Sequence, residues 1–484
     1  MKIFQTEVIN SGKILPAGIL NFFALILGTI VFTYIFPQII STVWYIIILI
    51  LYFRSKDESL WLAFFFVLSD GFAGFFGTYE VSLSLIPGLP GIELGQFYIL
   101  LSFVKVLGKQ KTYTVFFNKY LQILGLYLLF LILWGLLNGA PSEINEMLRI
   151  FKLTVPFLLF YSLPKLLRSH DDFERFFGFV FPIIYIAFVT HIFSIIFGLS
   201  PAEYMGLKEV SRYSLKYTES KEILRVFYNT EISLLSFLGS LFYLSRKDCT
   251  YNKAYLASIV FMVFTMAFLS ATRGWIIAFI ITLLLFTFLV FRIGLKGMLG
   301  MLIVSIVLVF TIREIPVIRR QIEGSWQRFS TVTAITEGDI TLQGTQGRTT
   351  ILGPRVINKW LENPVFGWGF SSTYFGYNDG HVGNQNILLH SGIVGGFLML
   401  SFLIYFNFKL ALKSLKSGVK DDSKSLLVFV LFFIGWAIIH STSGQQFAFS
   451  NMPGGAILQA VFFYCGAFYF YNSVNSKQPE SETL

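Results

Sequence analysis

The chain has 484 residues, 55% of them hydrophobic and 13% charged, with 37 Lys and Arg against 27 Asp and Glu for a formal charge of +10. A soluble globule has about a quarter of its residues charged, so that class is excluded. The Lys and Arg are scattered over short loops, which argues against a nucleic-acid surface, and Cys249 and Cys465 give neither a disulfide framework nor a Cys/His metal spacing.

Apolar stretches of about 17–25 residues, each long enough for a hydrocarbon core of about 30 Å, recur along almost the whole length. The first, Leu15 to Phe36, is too long for a signal-peptide core, lacks a small-residue cleavage site and is expected to be a span. About fourteen spans are expected in all, near 16–36, 38–53, 60–77, 92–108, 120–138, 146–165, 179–198, 227–245, 254–271, 274–292, 298–312, 387–411, 426–444 and 456–472. The fold class is therefore all-α, a polytopic membrane bundle. Residues 1–312 form an N-terminal bundle of about eleven spans, 313–386 a large external loop carrying short amphipathic helices, 387–472 the C-terminal helices and 473–484 a tail.

The charge bias orients these spans. Alternate loops collect Arg54 and Lys56, then Lys109, Lys111 and Lys119, then Lys165 and Arg168, then Arg246, Lys247 and Lys253, while loops 78–91, 139–145 and 445–455 contain no Lys or Arg. Both termini are expected in the cytoplasm and loop 313–386 outside. Arg149 and Lys152 stand i, i+3 apart at the external start of a span, facing either a site or lipid headgroups. Loop 199–226 holds Lys208, Arg212, Lys216, Lys221 and Arg225, and long loops escape the positive-inside rule.

Arg273, in the sequence SATRGW, lies at the external junction of two spans. A boundary arginine either snorkels to the interface or faces the bundle as a functional residue. In the late loop, Arg348, Arg355 and Lys359 fall on one stripe of a continuous helix at about 100° per residue, with Pro354 marking a start just before it. The stripe suits phospholipid headgroups or a cationic wall for a diphosphate, where Arg offers bidentate geometry. Among the histidines, His170 is expected in a solvated loop and His191 and His440 on apolar spans. His381 sits in a Gly/Asn-rich external loop, where neutral imidazole is suited to general-base work, and His390 lies close to the same level.

The segments GRTTILGPRVINKWLENPVFGWGF and HVGNQNILLHSGIVGG resemble the C-terminal signature of the O-antigen ligase and Wzy-type polymerase superfamily. The likeness falls on Arg348, then on Asn363, Pro364, Gly367 and Gly369, then on His381, Gly392 and Gly395. SATRGW resembles the family's Ser-Arg-Gly element, with Arg273 at the arginine, and RVFYN offers Arg225 for another. The family has Asn, Ser or Gln after the histidine, whereas this chain has Val382, so Asn384 or Asn386 would have to orient the ring or the acceptor.

The resemblance implies a glycosyltransferase of the bacterial inner membrane that moves a glycan from an undecaprenyl-diphosphate-linked donor to an acceptor glycan or glycolipid. It needs no cofactor and no metal, with His381 as base and Arg273, Arg348, Arg225 and Arg355 holding the diphosphate. Within that reading the enzyme is a repeat-unit polymerase, working beside a chain-length regulator or flippase. The alternatives are an O-antigen ligase acting on a lipid A core, and, from another class, a membrane transporter.

Overall fold

A computed structural model describes residues 15–76, 81–84, 91–141, 143–207, 215–217, 223–270, 273–291, 315–336, 347–380, 382–416, 422–440 and 451–475, and 78% of these are helical. Among the described residues, strand is confined to two short antiparallel pairs, β1 (Ser82–Leu83) with β2 (Ile92–Glu93) and β3 (Leu215–Tyr217) with β4 (Leu224–Val226). The first eight helices are α1 (Ile19–Tyr34), α2 (Gln38–Arg54), α3 (Glu58–Ser69), α4 (Leu94–Lys105), α5 (Asn118–Leu137), α6 (Ile144–Thr154), α7 (Leu159–Leu166) and α8 (His170–Phe197). Then come α9 (Pro201–Tyr204), α10 (Thr230–Ser245), α11 (Lys253–Leu269), α12 (Arg273–Phe286) and α13 (Pro316–Thr336). The last five are α14 (Gly353–Leu361), α15 (Ser372–Tyr377), α16 (Gln385–Lys416), α17 (Leu427–His440) and α18 (Pro453–Asn475).

A helix that is apolar all round is stable only when other helices surround it. That is the state of α3, buried from Ser59 to Leu68, and of α10, buried from Ile232 to Tyr243. With α18 they form the centre, filled by aromatic rings such as Phe64, Phe65, Phe177, Phe237, Phe462 and Phe463. The flanking α1, α2 and α5 bury one face and turn leucines outward, among them Leu20, Leu126 and Leu137. On a soluble protein such rows would be an aggregation liability; against lipid they are the expected surface.

Five helical segments are long and apolar enough to cross a membrane: Asn118–Leu137, Ile144–Leu166, His170–Phe197, Gln385–Lys416 and Pro453–Ser473. Eight shorter apolar helices accompany them, so among the described residues five helices qualify as spans by length and composition. One expected span, 146–165, is interrupted. A 3-10 segment, Val155–Leu158, separates α6 from α7 at Pro156, which lacks the N–H that a continuous helix requires. The expected span 298–312 lies outside the described residues.

Charged side chains sort into two levels. One end of the bundle holds the ion pairs Lys105–Glu58 (2.8 Å), Arg175–Asp57 (2.5 Å) and Arg246–Asp248, together with Lys109, Lys111 and Lys165 around one cavity. Lys109, Lys111, Lys165 and Arg246 are among the residues whose positive charge leads one to expect a common side. The opposite end carries α6, the β3–β4 pair and the segment from α14 to the start of α16.

Candidate functional site

The core of the opposite end is a backbone lock between two glycine-bearing segments. Helix α16 is broken at Gly392, whose φ of 62° and ψ of −167° are non-helical. The break frees the carbonyls of Leu389 and His390, which accept from the N–H groups of Trp368 (2.8 Å) and Gly369 (2.9 Å). The amides of Ile393 and Val394 donate in turn to Pro364 (2.9 Å) and Val365 (3.1 Å). A Cβ on Gly367 would lie 2.6 Å from the Leu389 carbonyl oxygen, one on Gly392 would overlap that of Val365, and one on Gly369 would overlap the backbone of Gly135 and Leu131. Positive φ at Gly367, Gly369 and Gly392 adds the conformational reason for glycine. The Asn-Pro-x-x-Gly-x-Gly and Gly-x-x-Gly spacings are thus two halves of one clasp. Helix α5 closes it from a third side, with Trp134 Nε1 donating to Gly367 (2.9 Å), Tyr127 donating to Ser391 (2.6 Å) and Leu131 accepting from Phe370 (3.2 Å).

The clasp positions the loop that follows α15. Asn386, 1% exposed, donates through Nδ2 to the carbonyl of Asp379 (2.6 Å) and accepts the Asp379 N–H at Oδ1 (3.1 Å). Val382, 4% exposed, is part of the apolar core, and its N–H also bonds Asp379 (3.1 Å). Asn384 is exposed at the start of α16. His390 is buried, stacked on Phe370 at 5.5 Å between ring centroids and edge-on to Tyr374. His381 itself lies outside the described residues, between the described Gly380 and Val382.

A cavity of about 740 Å³ opens where this loop faces α6. Asn378, Asp379, Gly380 and Asn386 line one wall and Asn145, Arg149 and Lys152 the other, with Tyr374, Gly91 and Met452 between them. Arg149 stands 5.0 Å from the ring centroid of Phe375, a cation–π contact. Helix α6 is strongly two-sided, as an element with one face on a polar chamber should be. The cavity holds Asn386 from the sequence-predicted set, and it promotes Arg149 and Lys152, which spacing alone leaves as lesser candidates. Tyr374, Asn378 and Asp379 carry no sequence pattern that singles them out.

The predicted arginines divide. Helix α14 begins at Gly353 with Pro354 in its first turn, as expected, but Gly347–Leu352 is a π-helical turn. The altered winding removes the continuous α-helix that the Arg348, Arg355, Lys359 stripe presupposes. Arg355 donates to the Tyr377 carbonyl (3.2 Å), and Lys359 pairs with Glu362 (2.6 Å) and lies over the rings of Trp368 and Tyr377. For Arg348 and Arg273 the backbone is described and the side chain is not. Arg225, in β4, covers the Phe227 ring at 4.6 Å. Its strand is tied to the end of α11 by Gln321, which accepts the Leu224 N–H (3.1 Å) and donates to Leu224 (2.7 Å) and Leu269 (2.6 Å). The chain after Arg225 and the first turn of the helix begun by Arg273 thereby enclose a small chamber of about 50 Å³, lined by His191, Tyr228, Asn229, Ser270 and Trp275. Residues 451–454, at the start of α18, touch the surroundings of both chambers. Asn451 bonds Leu153 (3.0 Å) beside the larger one, and Gly454 packs on the Glu231 carboxylate beside the smaller.

Among the described residues no group of three His, Cys, Asp or Glu side chains is placed to hold a metal ion. No protein-family model matches the chain, and no curated protein aligns with it.

Proposed function

We propose that this chain is a membrane glycosyltransferase that moves a glycan from a polyprenyl diphosphate to an acceptor sugar hydroxyl, as a repeat-unit polymerase of the Wzy type. The observation that carries the reading is the 740 Å³ cavity. It sets two cations of α6 against the loop that leads directly into His381. A sugar chamber needs polar walls that hydrogen-bond hydroxyls, and Asn145, Asn378, Asp379 and Asn386 are of that kind. A diphosphate leaving group needs fixed positive charge, which Arg149 and Lys152 supply on one wall, and the family resemblance adds Arg225, Arg273, Arg348 and Arg355. In this scheme His381 takes the proton of the acceptor hydroxyl as its oxygen attacks the anomeric carbon. The bond from that carbon to the diphosphate oxygen breaks with inversion, and the lipid diphosphate departs as an anion held by the arginines.

The test uses the full chain reconstituted with a polyprenyl-diphosphate-linked oligosaccharide. His381→Gln is expected to lower turnover by about 10²–10⁴-fold, the usual range for loss of a general base. Retention of full turnover would refute the assignment. Deleting the gene in its host is expected to leave single lipid-linked repeat units where a ladder stood. Full-length ladders held on the lipid carrier would instead indicate the ligase, and an unchanged glycan profile would reject both glycan readings.

A further inference from the structure

A second, larger cavity of about 990 Å³ lies at the other end of the bundle, and no step of the proposed reaction uses it. It is a groove between α5 and the α6–α7 junction. Its mouth carries Lys109, Lys111 and Lys165, and its floor is apolar, formed by Leu121, Gly125, Ile132, Phe157 and Leu158 among others. Gly125 lets α5 lie close against the Phe157 ring at the floor, since a Cβ there would stand 3.0 Å from it. The groove is open sideways, where Leu126 is 68% and Leu129 59% exposed.

The lysines at the mouth carry a charge that the protein does not balance. Lys165 is 6% exposed, with its ammonium 3.6 Å from the Tyr161 ring centroid. Lys111 donates to the Asn118 side-chain oxygen, and burial together with repulsion from Lys165 lowers its pKa. Among the described residues neither lysine forms an ion pair with a carboxylate, whereas nearby Lys105 is paired with Glu58. A buried and a half-buried ammonium group that repel each other are stabilised by an anion between them. The apolar floor runs from Leu121 to Ile132, about 17 Å at 1.5 Å per residue, and half of a hydrocarbon core is about 15 Å. The groove therefore has the depth of one leaflet, with its charge at headgroup level.

We propose that this groove binds an anionic glycerophospholipid of the leaflet on the lysine side, its phosphate against Lys111 and Lys165 and an acyl chain along α5. Leaflet depth favours this occupant over a long polyprenyl chain, and the open flank admits it sideways from the bilayer.

Native mass spectrometry of the delipidated full-length protein tests the site, with phosphatidylglycerol and phosphatidylcholine of identical acyl chains added separately. Phosphatidylglycerol is expected to be retained preferentially, and Lys111→Gln to reduce its retention about fivefold, the usual contribution of one lysine at an anionic membrane surface, without changing phosphatidylcholine. Leu129→Trp, which fills the open flank, is expected to reduce both. Lys111 and Leu129 are not part of the closed core, so unchanged melting temperatures serve as the folding control. Equal retention of the two lipids, or equal retention by wild type and Lys111→Gln, overturns the proposal. So does displacement of the lipid by inorganic phosphate alone, which would leave the groove no role, or preference for undecaprenyl phosphate over phosphatidylglycerol, which would replace the occupant.

Discussion

Asn386 holds both polar groups of a single residue, Asp379, and it does so from a buried position at the first turn of α16. It fixes the loop two residues before His381, and Val382 anchors the other side of that histidine in the apolar core. The polar residue that the family resemblance leads one to expect after the histidine is thus replaced by an apolar anchor, with a clamp four residues further on. Sequence proposes Asn384 and Asn386 equally because both are amides near the histidine; only burial separates them. Asn386→Ala is expected to destabilise the protein by about 1–3 kcal/mol, because the Asp379 N–H loses its Asn386 acceptor and its carbonyl loses one of two donors. Turnover should fall with it. Asn386→Asp should not rescue, since it keeps an acceptor but loses the donor and turns a carboxylate towards the Asp379 carbonyl. A melting curve in detergent and a turnover assay on both variants check this, and an Asp variant as stable as wild type would contradict the clamp.

At the scale of elements, the glycine spacing was readable and its meaning was not. Gly367, Gly369, Gly392 and Gly395 belong to a recognisable pattern, but a linear pattern does not say that 364–369 hydrogen-bonds to 389–394. Sequence likewise anticipates that α14 starts at Pro354, because proline is tolerated in the first turn. It misses the π-helical turn at Gly347–Leu352, since every residue in GRTTIL accepts ordinary helical geometry. The break at Gly392 is hidden for a similar reason: the apolar stretch 387–411 reads as one helix. Gly392→Ala meets both a left-handed φ and the Val365 carbonyl, and is expected to cost at least about 2 kcal/mol. The accompanying sign is faster limited proteolysis within 362–370. An alanine variant with wild-type melting and proteolysis would show that the clasp is not required.

For the whole molecule, loop composition alone predicts a two-sided arrangement, because Lys and Arg mark one side of a membrane. What composition could not supply is the joining of distant segments within each level, such as Asn451 with Leu153 or Leu131 with Phe370. It also reduced Lys109, Lys111 and Lys165 to markers of orientation, although they surround one groove. In a Cys249→Ser background, Asn378→Cys is expected to react with a membrane-impermeant maleimide in intact cells, and Lys109→Cys only after permeabilisation. Equal labelling of both in intact cells would contradict the two-sided arrangement. In the wild type, burial pushes the Cys249 thiol up to about 11. Since the thiolate is the nucleophile, labelling in permeabilised cells should be slow at neutral pH and rise about tenfold per pH unit towards 11. A plateau near pH 8.5 would mean an ordinary exposed thiol.

The clasp at Gly392 also bears on how the protein is made. A helix interrupted within a bilayer exposes backbone groups that hydrocarbon cannot satisfy, and here their partners come from residues 364–369, which are synthesised earlier. Helix α16 therefore cannot be inserted as an independent unit on the strength of its hydropathy. Residues 363–394 have to fold back together, so a nascent chain stalled between the two halves of the clasp should be retained by the insertion machinery instead of being released sideways into lipid.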